Sequence, residues 1–138
     1  MKIKNPPLWR VFYFSVACVQ MNDITTYADV EQLLRIFYQK LLKDELLAPH
    51  FAGIDLEAHM PRIIAFWAFI LIDQEGYKGN VFDKHKHLDI GEAHFTRWVK
   101  LFSKTVDELF AGEKANLAKQ RAMLLGHTFQ SKMKTPDK

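Results

Sequence analysis

Phe95, Trp98, Phe102, Thr105 and Leu109 recur at alternating steps of three and four residues, the period of one face of an α-helix and incompatible with the two-residue alternation of a strand. An amphipathic helix from about His94 to Phe110, with its aromatics turned inward, is therefore the element around which this chain must fold. It is preceded by a Tyr-Lys-Gly turn at 77–79 and by histidines at 85, 87 and 94. A neutral imidazole is a common metal ligand and titrates near neutral pH, so this density of histidine points to a bound metal, bare or carried in a haem.

Length sets the scale: 138 residues suffice for one domain with a real core and are too few for two. A hydrophobic share of 49% and a charged share of 25% describe an ordinary globular composition. The aromatic share of 13% would fill a small interior with flat rings and suits a flat ligand. The formal charge of +3 is scattered rather than gathered into a basic block, which excludes nucleic acid as an expected partner. Cys18 stands alone, so neither an internal disulfide framework nor a cysteine metal cluster can form, and an internal metal must use His or carboxylate.

Residues 1–20 differ from the rest, with Lys2, Lys4, a Pro6-Pro7 pair and an apolar run from Trp9 to Val19 broken by Arg10. The run is too short to span a bilayer, which takes about 20 apolar residues. Ser15-Val16-Ala17-Cys18 resembles a lipoprotein site only loosely, and Met21 offers a natural start of translation. The expectation is an over-long start or a flexible arm at 1–20, a folded domain over 21–138, and a cytoplasmic protein.

Thr26 followed by Asp29 is a capping signal, after which Val30, Leu33, Leu34, Phe37 and Leu41 mark a first helix. Tyr38 lies four residues beyond Leu34, so its hydroxyl faces the interior and needs a partner there. A connection with Pro49 runs from Asp44 to Gly53, and Asp55 begins a second helix whose expected apolar face is Ile63, Phe66, Trp67 and Ile70. Extending that face back by four reaches His59; Pro61 places the regular start at Pro61 itself, with His59 on a looser turn leading in. Asp73, Gly76, Gly79 and Asn80 mark a loop. Gly112 ends the aromatic helix, and a last helix from Glu113 to about Met133 carries Ala118, Ala122, Leu125 and Phe129 on one face. No segment shows strand alternation, so the expected class is all-α.

Taken singly a histidine is more often a surface or core-edge residue than a ligand, and His50 and His127 are read that way. The others admit two sharper readings. His85 and His87 with Asp83 or Asp89 could hold a catalytic zinc, although no paired-histidine helix motif supports it. Alternatively one proximal His between two helices holds a haem.

Tyr77-x-Gly79, His85-x-x-Leu88-x-Ile90, His94-Phe95, Trp98 and Leu101-Phe102, with Phe37-Tyr38, Pro49-x-Phe51 and His59 eight residues before Trp67 upstream, resemble the group III truncated haemoglobins in order and spacing over roughly 25 to 133. The resemblance implies a globin-like, two-over-two helical sandwich around haem b. It makes His85 the proximal iron ligand and Tyr38, His59 and Trp98 the polar groups on the distal side. Phe37, Phe51, Ile63, Phe66, Trp67, Leu88, Ile90, Phe95 and Phe102 would line the pocket, with Arg62 and Lys84 facing the haem carboxylates. Pro61 beside His59 and His87 beside His85 depart from the pattern. The implied function is binding of O2, NO or CO at a five-coordinate iron by a monomer or weak dimer. Peroxidase-like or NO-removing turnover would require an unidentified electron donor. The readings set against it are a helical interaction module whose aromatics are only core, and a His/Asp zinc hydrolase.

Overall fold

Three of the five described helices start where a hydroxyl or carboxylate takes up free N–H groups of the first turn. In the computed structural model, which describes residues 21–75 and 91–134 with side chains as far as Thr128, five helices are present and no strand appears among the described residues. Helix α1, Tyr27–Leu41, opens with the expected capping box: Thr26 Oγ1 accepts from Asp29 N at 3.1 Å, and Asp29 Oδ2 accepts from Thr26 N at 3.1 Å. Asp29 also accepts from Thr25 N at 2.9 Å. A short helix α2, Ala48–Phe51, occupies the connection that follows.

Helix α3, Leu56–Ile72, begins one residue after Asp55, whose carboxylate accepts from Ala58 N at 3.3 Å. The expected start at Pro61 is therefore corrected: Pro61 lies inside the helix, and His59 sits on regular helix rather than on a lead-in turn. Pro61 removes only the bond to Glu57, and both residues are exposed, so water can replace the missing donor. The buried stripe of α3 is Met60, Ile64, Trp67, Ala68 and Leu71, whereas Ile63, Phe66 and Ile70 are half-buried along its shoulder. The unbroken apolar run from Ile63 to Ile72 explains this rotation, because a sequence apolar all round carries no phase.

Helix α4, Glu92–Leu109, is the aromatic helix, and α5, Glu113–Lys134, follows it. The joint between them is tied to the segment ahead of α1. Asp23 accepts from Lys114 N and Ala115 N, each at 2.8 Å, capping α5 from about ninety residues away in sequence. Gly112 at φ 141° lets this approach happen, since a Cβ there would lie 2.5 Å from Asp23 Cγ.

Helix α1 packs on α3 and α4, α4 lies along α5, and α3 reaches α5. Small residues line α5: Ala115, Ala118 and Ala122 are buried, and a Cβ on Gly126 would come within 2.8 Å of Val99 on α4. The core is continuous from Ile24, fully buried before α1, through Phe37 and Leu41 to Phe102, Val106 and Phe110.

Candidate functional site

Where α1 and α4 meet, the aromatic rows interlock. Phe37 packs edge-on against Tyr38, Trp98 and Phe102, with ring centroids 4.9, 5.6 and 5.1 Å away. Phe102, fully buried, is stacked between Trp67 at 4.8 Å and Trp98 at 5.6 Å. Phe66 meets Trp67 edge-on at 5.6 Å. One connected aromatic wall thus runs from α1 across α4 to α3.

Two polar atoms are set into this wall. Tyr38 is buried, with the Trp98 indole near its hydroxyl. Burial pushes the phenol well above its ordinary pKa, an effect Trp98 opposes only in part, so Tyr38 stays protonated at neutral pH. The indole N–H is a donor only, and the phenol both donates and accepts, so the wall carries two donors.

The other expected site residues divide by position. Phe51 at the end of α2 is buried, Phe95 is buried on α4, and Ile63, Phe66 and Trp98 are half-buried against the core. Trp67 is a core residue through its stack on Phe102. His59 and Arg62 are exposed on α3, with His59 on the same row as Ile63 and Phe66. Lys84, His85, Leu88 and Ile90 lie outside the described residues, as do Tyr77, Gly79, Asp83, His87 and Asp89. Among the described residues no group of three or more His, Cys, Asp or Glu is placed to hold a metal ion.

A family model for bacterial-like globins matches residues 21–134. The chain belongs to that family. The group 3 truncated haemoglobin ctb of Campylobacter jejuni is 30% identical over 109 residues, covering 74% of this chain and 86% of the relative. A group 1 truncated haemoglobin GlbN of Nostoc commune is 34% identical over 67 residues, 48% of this chain and 57% of that protein. The crystal structure of the group III truncated haemoglobin from C. jejuni superposes with a TM-score of 0.75 at 28% identity, covering 83% of this chain and 95% of that one. The expected fold, an all-α truncated globin, is the one observed, and the likeness to the group III branch holds in sequence and in structure.

In this globin, sequence reasoning missed two links between the 44–53 connection and the start of α4. Arg97 Nε and Nη2 both lie 2.6 Å from Asp44 Oδ1, and Asp44 also accepts from Leu46 N at 3.2 Å and Leu47 N at 3.1 Å. The Arg97 guanidinium, together with those backbone donors, holds the Asp44 carboxyl below its ordinary pKa against the opposing effect of burial. The rings of His50 and His94 meet edge-on at 4.3 Å. His94 Nδ1 accepts from Gly91 N at 3.0 Å, so the neutral imidazole carries its proton on Nε2 and has no bare nitrogen left for a metal. Neither link has a sequence signal, because each joins residues more than 40 positions apart with no motif between them.

Proposed function

We propose that this globin binds haem b and, at the haem iron, a diatomic ligand such as O2, NO or CO. The observation that carries the reading is the buried Tyr38 phenol beside the Trp98 indole in an otherwise apolar aromatic wall, in a chain of the bacterial-like globin family. The described side of the site suits a porphyrin: Phe51, Ile63, Phe66 and Trp98 offer flat or branched apolar surface next to the core. His85 is the proposed iron ligand, on the spacing His85-x-x-Leu88-x-Ile90, with Leu88 and Ile90 beside the ring. Arg62 and Lys84 are the proposed partners of the haem carboxylates.

A bound haem supplies an iron that takes up the diatomic ligand and makes it partly anionic. The chain's own residues then act on that ligand. Tyr38 and Trp98 each carry one donor in this wall, and the buried phenol keeps its proton, so its O–H is a permanent donor. A donor held in a dry, apolar site stabilises a partial charge more than the same donor in water, and costs no reorganisation. His59, exposed on the row of Ile63 and Phe66, is placed to act at the rim. Such a pocket favours slow ligand release over easy delivery, and so scavenging, peroxidase-like or NO-removing chemistry with electrons from an external donor, in the cytoplasm.

Haemin titration tests this reading. The expected result is an absorption band in the Soret region saturating at one equivalent, shifting on reduction and again on addition of CO. No saturable band would overturn it; stoichiometric zinc in the purified protein would favour the hydrolase reading, and neither chromophore nor zinc the interaction module.

A further inference from the structure

We propose that Asp44 and Arg97 are positioning residues, whose ion pair sets the rotation and height of α4 at which the Trp98 indole packs against Phe37 of α1. Its consequence for ligand binding rests on the haem reading above; the positioning itself does not.

Asp44 is 9% exposed, and a charged group that far from water must be paired. It is fixed to the end of α1 by its own backbone, with Asp44 N donating to Leu41 O at 3.1 Å and Ala48 N donating to Asp44 O at 2.8 Å. The carboxylate takes the free N–H groups of Leu46 and Leu47, and Leu47 is anchored in the core at 1% exposure. Asp44 is thus a rigid acceptor aimed at α4.

Arg97 supplies the other half, and it is the residue immediately before Trp98. A guanidinium is planar and directional, so pairing it with an immobile carboxylate constrains where the helix that bears it can sit. The α1 side therefore meets consecutive residues of α4, Arg97 through Asp44 and Trp98 through Phe37. Contact at Trp98 alone would leave α4 free to rotate about it. The two together fix the azimuth of the indole.

Another ion pair joins the same helices and provides the contrast. Lys40 and Glu108 pair between side chains 31% and 45% exposed, whereas Arg97, 43% exposed, pairs with an Asp44 side chain only 6% exposed. Exposed pairs contribute little and tolerate many geometries. Breaking the Lys40–Glu108 pair should leave the indole where it is.

The test uses the full chain, labelled with 15N and free of haem, and reads the Trp98 indole N–H resonance, identified by its loss in Trp98→Phe. Asp44→Asn keeps the shape and the acceptor for the connection's N–H groups while removing the charge. Arg97→Gln removes the guanidinium. Both are expected to move the indole proton, whose resonance reads the ring currents of Phe37 and Phe102, and to speed its exchange with solvent. Glu108→Gln should leave shift and exchange unchanged, and Arg97→Lys should fall between. If Asp44→Asn does not fold, Arg97→Gln and Arg97→Lys decide the matter. An indole signal unchanged in the folded Arg97 variants overturns the proposal. A moved signal with unchanged O2 release from the haem-loaded variants supports the positioning role and counts against the ligand-donor reading.

Discussion

The Trp98 ring packs edge-on against Phe37, the neighbour of Tyr38, at 5.6 Å across the α1–α4 boundary, so an aromatic wall carries two donors, the indole N–H and the phenol O–H. The arrangement follows from ordinary helical spacing. Tyr38 is adjacent in sequence to Phe37, and Trp98 lies four residues before Phe102; the packing of Phe37 on Phe102 at 5.1 Å brings the two polar residues together. A donor site is thus built by the same contacts that build the core.

Phe102 is the keystone of that packing, fully buried between two indoles. Phe102→Ala is expected to lose about 3–5 kcal/mol of stability, the usual loss for a buried Phe truncated to Ala. Urea unfolding followed by circular dichroism checks it. A loss below about 1 kcal/mol would mean that the stack is not a well-packed core.

Replacing His85 tests the proposed iron ligand. His85→Ala should abolish haem retention or leave a spectrum restored by added imidazole, while His87→Ala keeps the spectrum of the unaltered protein. Unchanged ferrous and carbonyl spectra in His85→Ala would remove His85 from the assignment.

Acid should destabilise this fold through three carboxylates. Asp44 is held below the ordinary 3.8 chiefly by Arg97. Burial raises Asp23 and Asp29, but this is outweighed at Asp23 by the N–H groups of Lys114, Ala115 and Ile24, and at Asp29 by Thr25 and Thr26. Each group binds its proton less readily folded than unfolded, so its stabilisation is complete above 3.8 and is lost as pH falls through the lower folded value. Thermal melts should therefore show these groups contributing nothing to pH dependence between 7 and about 5, and a steep decline below about 4. Asp23→Asn should melt lower at neutral pH and lose part of that decline. An acid decline as steep in Asp23→Asn as in the unaltered chain would show that the Asp23 cap contributes nothing to it.

Much of this architecture was legible in the sequence because it rests on local rules. The Thr26–Asp29 box and the three-four aromatic row each declare themselves within a few residues, and each appears as expected. Helix α3 was misread where the local rule is silent, since ten consecutive apolar residues from Ile63 to Ile72 fix a helix but not its rotation. Ile24 and Asp23 were overlooked, although one is fully buried and the other caps α5, because their partners lie far along the chain. The same reason hid Asp44 and Arg97. Tyr38 and Trp98 were identified singly by their inward positions, but their nearness depends on how α1 and α4 are seated, which no spacing encodes.

The sharpest test of the account compares O2 and CO release from the haem-loaded protein and its Tyr38→Phe and Trp98→Phe variants by stopped flow. A hydrogen bond to a partly charged group contributes roughly 1.5–3 kcal/mol, so each substitution should accelerate O2 dissociation by about tenfold to a hundredfold. Bound CO carries far less charge, and its release should change little. Equal effects on the two ligands would contradict the account, since they would mean that the pocket acts by its shape and that the Tyr38–Trp98 pair donates nothing to the ligand.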